Sequence, residues 1–144
     1  MKMIKQLSVF IENKEGRLKK AIDILSMANI NIRALSIADT SKFGILRLIV
    51  RDLSKAKEIL EENNFLVKET DVLAVEIPDE PTGLNRILNM LDKSKINLEY
   101  LYAFVGKKNN QAIVIIRVEN IEEGLKALND GNANVLSQKD IETF

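Results

Sequence analysis

The chain repeats itself. Residues 13–32, NKEGRLKKAIDILSMANINI, and residues 79–98, DEPTGLNRILNMLDKSKINL, align at a constant offset of 66. Leu18 falls on Leu84, Ile22 on Leu88, Leu25 on Leu91, Ile30 on Ile96, Asn31 on Asn97 and Leu35 on Leu101. The register then slips by two residues in a polar turn, where Thr40-Ser41-Lys42 faces Lys107-Lys108-Asn109-Asn110. Beyond it the offset is 68, and Leu46, Leu48, Val50 and Leu60 fall on Val114, Ile116, Val118 and Leu128. An insertion confined to a turn is where a duplicated unit tolerates one. The fold must therefore be built twice, over 1–70 and 71–144.

Each half has the same grammar. Residues 4–11, IKQLSVFI, are β-branched and apolar and predict a strand. Over 17–28, Leu18, Ala21, Ile22 and Leu25 recur at helical spacing with polar residues between them. Strands follow at 31–38 and 44–51, then a helix at 54–63 capped by Ser54 and stopped by Asn63-Asn64, then a strand at 65–70. The second half predicts strands at 71–77, 97–105, 111–118 and 134–138, with helices at 83–94 and 121–130. No Pro- or Gly-rich linker separates the halves, so the join near Thr70-Asp71 is tight. The order is βαββαβ, the split βαβ or ferredoxin-like arrangement: an α+β fold with a four-stranded antiparallel sheet and both helices on one face. A unit this small buries only about 60% of its unfolded surface, so the two are expected to pair side by side.

That fold hosts unrelated functions, and composition removes several of them. There is no Cys and no His, so a thiolate or imidazole metal site is excluded, and the commonest general base is missing. Lys plus Arg and Asp plus Glu each total 21, so no basic excess exists for phosphate backbones. The central strands carry Phe10 but no matching aromatic for stacking bases, which argues against RNA recognition. Lys107-Lys108 reads as a solvated hairpin tip. Carboxylates such as Glu58, Glu61, Glu62, Glu122 and Glu123 fall on helix surfaces, and no phosphate loop or spaced acid–base pair stands out. Arg17 alone does not make an acylphosphatase-like site. No apolar run has membrane-spanning length and none near the N-terminus suits a signal peptide. The expectation is a cytoplasmic protein without catalysis, cofactor, nucleic-acid or membrane partner.

The loop between first strand and first helix carries the sharpest motif. The first copy reads Asn13-Lys14-Glu15-Gly16-Arg17-Leu18 and exits its helix through Asn29-Ile30-Asn31-Ile32. The second reads Asp79-Glu80-Pro81-Thr82-Gly83-Leu84 and exits through Lys95-Ile96-Asn97-Leu98. Both resemble the ACT domain, a regulatory module that senses amino acids, and the whole chain resembles stand-alone tandem ACT proteins. The resemblance extends to Leu35–Thr40 and Tyr100–Gly106. It implies a ligand site between paired domains, with the loop from one and the entry to the second strand from the other. Carried over, it places Asn13, Gly16, Arg17 and Leu18 with Asn97 of a facing copy, and Asp79, Pro81, Thr82, Gly83 and Leu84 with Asn31. Tyr100 and Tyr102 are candidates for a pocket wall.

The chemistry of a zwitterion suits these positions. Unpaired N–H groups at a helix start attract a carboxylate. Asn13 can donate and accept at once, and Gly16 lets the backbone approach a ligand. Each residue also has a plainer reading. Asn13 can be a turn residue, Asn31 and Asn97 can be left-handed helix stops, Leu18 and Leu84 can open the core faces of their helices, and the tyrosines can fill a core. Glu15 replaces the usual Pro and Thr82 the usual first Gly, so the second loop is expected to be shaped differently. Edge strands predict a homodimer, and a regulated metabolic enzyme is a further partner. A protein-interaction module without a small ligand is the competing reading.

Overall fold

The computed structural model describes residues 2–39, 42–104 and 110–143. The hairpin tips at Thr40-Ser41 and Lys107-Lys108, with Val105 and Gly106, lie outside them. The chain divides into two compact units, Lys5–Thr70 and Asp71–Phe144, the latter together with Met1–Ile4.

The first unit contains β1 (Ile4–Glu12), α1 (Arg17–Met27), β2 (Ile32–Asp39), β3 (Phe43–Val50), α2 (Leu53–Glu62) and the start of β4 (Leu66–Pro78). Its strand order is β2-β3-β1-β4, with β1 and β2 both antiparallel to β3. Alternation sends Leu7, Val9 and Ile11 of β1 to one face, where Leu46, Leu48 and Val50 join them. Ala21 and Leu25 of α1 and Ala56 and Leu60 of α2 close that core. Each buried Leu, Ile or Val side chain here contributes about 1.5–3 kcal/mol by leaving water.

The second unit repeats the plan with β4, α3 (Pro81–Lys93), β5 (Leu98–Ala103), β6 (Gln111–Val118), α4 (Ile121–Asp130) and β7 (Asn134–Leu136), in strand order β5-β6-β4-β7. Leu73, Val75 and Ile77 pack with Ile87, Leu91, Ile116 and Leu128. The segments expected as strands at 65–70 and 71–77 are one continuous element, β4.

Duplication reaches the backbone. Asn29 and Lys95 hold matched left-handed turns after the first helix of each unit, and Asn64 and Asn132 do so after the second. In all four, the next amide reaches back to close the helix end, as Ile30 N–H does to Leu25 C=O at 3.0 Å. The sheet registers also shift at matched places, between Ile32 and Ala34 and between Leu98 and Tyr100.

Some expectations need correction. Asn31 and Asn97 are not the left-handed stops, which fall two residues earlier. Instead their carbonyls accept from Arg51 and Glu119 at 3.3 and 3.0 Å. The cap of α2 is Asp52, whose carboxylate accepts from Lys55 N–H, and Ser54 lies inside the helix. Helix α3 begins at Pro81, because proline at a first helical position sacrifices an amide that would be unpaired anyway. The last strand is shorter than 134–138 and gives way to α5 (Gln138–Thr143). There Ser137 and Asp140 cap each other's amides at 3.2 and 2.9 Å.

Candidate functional site

The first loop starts where β1 runs out of partners. Asn13 N–H donates to Lys42 C=O at 3.0 Å, Lys14 N–H to Glu12 C=O at 2.8 Å, and Arg17 N–H to Lys14 C=O at 3.3 Å. Gly16 then turns the chain into α1 with φ of 84°, a left-handed value that glycine adopts without a Cβ penalty. No side chain caps this helix start and its first turn holds no acidic residue, so the Leu18 and Lys19 N–H groups and the partial positive charge remain available.

Beside this helix start is a cleft of about 170 Å³. Asn13, Lys14 and Leu18 line it from the loop and the helix start, and Ile37 of β2 and Leu46 of β3 line it from the sheet. Leu18 is therefore only half-covered, at 39% exposure, rather than a closed core residue. Glu12 borders the cleft and pairs with Lys14 at 3.0 Å. That hydrogen bond and the ammonium charge hold the Glu12 carboxyl below its ordinary range, with Arg17 adding to the effect. The lining offers hydrogen bonds of both senses from Glu12, Asn13 and Lys14 and hydrocarbon from Leu18, Ile37 and Leu46.

Arg17 is elsewhere. Its guanidinium lies over the Phe65 ring, 4.7 Å from the centroid, and it does not line the cleft. Asn31 is also separate: it precedes β2 at the end of the sheet where Ile32 pairs with Val50, whereas the loop adjoins the Glu12–Phe43 end. One unit alone cannot bring Asn13 and Asn31 together.

The second loop keeps the hydrogen bonds and changes the turn. Asp79, Glu80 and Gly83 amides donate to Asn110, Pro78 and Glu80 carbonyls, the matches of those in the first loop. No residue in it has positive φ, because α3 already starts at Pro81 and carries Thr82 as a helical residue. Thr82 instead hydrogen-bonds Glu80 through its hydroxyl at 3.4 Å. Gly83 is pressed against Pro78, where an added Cβ would lie 2.2 Å from the carbonyl oxygen. Leu84 packs against the second core, and Asn97 again lies at the opposite end of its unit.

Tyr100 and Tyr102 stack with ring centroids 6.4 Å apart. They alternate with Leu101, which packs toward the helices, so they occupy the other sheet face, where Tyr102 and Phe104 are buried. Glu12, Ile37 and Leu46 are cleft residues that the motif did not indicate. Ile37 and Leu46 fall in segments expected as strands, but their approach to the loop depends on the β2–β3–β1 register. Among the described residues no three carboxylates gather to hold a metal ion, and no helix is long and apolar enough to cross a membrane.

Comparison with known proteins bears on the whole chain. Residues 2–144 match the family model described as an ACT domain pair. Protein BT0572 from Bacteroides thetaiotaomicron is 38% identical, with a TM-score of 0.90 over 99% of this chain and 97% of that one. The regulatory subunit of aspartate kinase from Thermus thermophilus, in ligand-free form, shares the fold at 15% identity, with a TM-score of 0.60 over 90% of this chain and 92% of that one. The acetolactate synthase small subunit of Buchnera aphidicola subsp. Baizongia pistaciae is 32% identical over 75 residues, which are 51% of this chain. The match spans only 47% of that subunit's own length.

Proposed function

The chain belongs to the ACT domain family as a pair of such domains, and from that membership we propose that it is a non-catalytic cytoplasmic sensor of a free amino acid. The observation that carries this reading is the cleft beside Asn13 and the uncapped start of α1, with hydrocarbon supplied by Leu18, Ile37 and Leu46. The ligand carboxylate meets the α1 amides and Asn13, and its side chain lies along the aliphatic wall. Since Asn31 and Asn97 stand far from the loop of their own unit, a second unit brought up to the cleft supplies that contact. Ligand binding then favours the association that completes the site.

An asymmetry between the two units supports a partner surface on the first. Met27, Ile37, Phe43 and Leu66 are exposed in the first unit. The matched positions of the second hold Lys93, Ala103, Gln111 and Asn134. Exposed apolar side chains present in only one of two duplicates favour that unit for contact with another protein. A second copy of this chain fits, because β2 is the outer strand of its unit and can pair with itself about a twofold axis. A metabolic enzyme whose activity follows the amino acid is the downstream partner. The test is protection against thermal unfolding by individual amino acids, with Asn13→Ala as the control.

A further inference from the structure

We propose that the second unit holds a separate small-ligand cleft, between α3 and β7, and that its ligand is a small carboxylate with an apolar body. The argument stands apart from the loop cleft of the first unit.

The duplicates differ where the first helix starts beside the last strand. In the first unit the Arg17 guanidinium lies over the buried ring of Phe65. At offsets of 66 and 68 the matching residues are Gly83 and Ala133. In place of that guanidinium and ring, a cleft of about 240 Å³ opens, lined by Gly83, Ala133 and their neighbours. Lost packing of this kind costs stability, which a bound ligand would offset.

Its lining has a definite chemistry. Arg86, Gln111 and Asn132 border the cleft, and their side chains make no hydrogen bond or ion pair among the described residues. A guanidinium fork matches a carboxylate, and the two carboxamides can donate or accept beside it. Ile87, Met90 and Ala133 supply hydrocarbon. Glu76 also lines the cleft and accepts from Asn134 Nδ2 at 3.2 Å. Amino acids and their 2-oxo acids share the carboxylate and differ in the ammonium that Glu76 would meet.

The full chain is titrated with each proteinogenic amino acid and with the corresponding 2-oxo acids, and the methyl resonances of Ile87 and Met90 are followed by NMR. At least one compound should move both methyls and saturate. Saturation by the amino acid alone assigns Glu76 to the ammonium; saturation by the 2-oxo acid as well rests the site on Arg86. Arg86→Gln should weaken this binding tenfold or more, and Ala133→Phe, which restores the first unit's residue, should abolish it. Asn13→Ala should leave it within twofold, so that failure of the loop reading is seen separately. The proposal is overturned if no compound of either class moves these methyls, or if the affinity is unchanged in Arg86→Gln. That variant alters an exposed side chain and keeps the question answerable if Ala133→Phe does not fold.

Discussion

Arg17 and Phe65 lie in face-to-ring contact in the first unit, 4.7 Å from guanidinium carbon to ring centroid. This gives Arg17 a structural task at a position where the family resemblance suggested a ligand contact. Phe65→Ala should cost about 3–5 kcal/mol, because a buried ring is lost from the core. Arg17→Ala should cost only about 1 kcal/mol, the scale of a half-exposed cation–π contact. Urea unfolding of the two single variants and the double variant measures the coupling. Arg17→Ala should leave amino-acid affinity within about twofold, whereas a large loss would place its side chain on the ligand.

Gly83 and Gly16 separate two reasons for glycine. A Cβ at Gly83 would meet the Pro78 carbonyl at 2.2 Å, a backbone atom that cannot move aside cheaply. Gly83→Ala should therefore destabilise the second unit by about 1–3 kcal/mol, the usual range for overpacking. At Gly16 nothing lies within 4 Å, but φ is 84°. Gly16→Ala should cost about 1–2 kcal/mol through left-handed strain alone. Gly16→Asn should recover part of that loss, because Asn tolerates the conformation, while Gly83→Asn should recover none. Thermal melts of the four variants decide the assignment.

The duplication made the fold legible: Leu18, Leu25 and Leu35 fall on Leu84, Leu91 and Leu101, and the β-branched, apolar run 4–11 marked the first strand. What escaped was local or tertiary. The six residues of α5 bury only Ile141, too little for a periodic signal, and the Ser137–Asp140 cap replaces that signal. Asp52 outcompetes Ser54 as a cap because its carboxylate reaches an amide three residues on. The loop cleft was half legible. Asn13 and Leu18 stand in the motif, but Ile37 and Leu46 reach the cleft only through β2–β3 pairing. The difference between the loops was visible in Thr82. Its resolution, an early helix start at Pro81, removes the need for a left-handed residue there.

Glu12 and Lys14 give a pH signature at the loop. The hydrogen bond and charge of Lys14 hold the Glu12 carboxyl below its ordinary value, so folding favours the ionised form. The resulting stabilisation is present above the unfolded carboxylate pKa and disappears as pH falls through the lowered folded value. An NMR titration should place Glu12 below the ordinary glutamate value, and Lys14→Met should move it up. Added salt should also move it up, since both groups are exposed and their interaction is screened. No movement in either case would remove Lys14 as the cause.

The amino-acid site itself is tested by linkage. A ligand at 100 times its dissociation constant should stabilise the native protein by about 2.7 kcal/mol. For a chain of this size that is a rise of several degrees in Tm. Asn13→Ala should remove the part of the rise that comes from this cleft, because Asn13 borders it next to the uncapped start of α1, and any part that survives should be lost in Arg86→Gln. Asp79→Ala should preserve it, because the second loop has no left-handed turn and its Gly83 is closed onto Pro78. Loss of the rise in Asp79→Ala alone would move the ligand to the second loop. If no amino acid raises Tm, exposed Ile37 of the outer strand β2 becomes the first candidate for a contact between copies. Sedimentation of Ile37→Asp against the unaltered chain would then ask whether a second copy covers it.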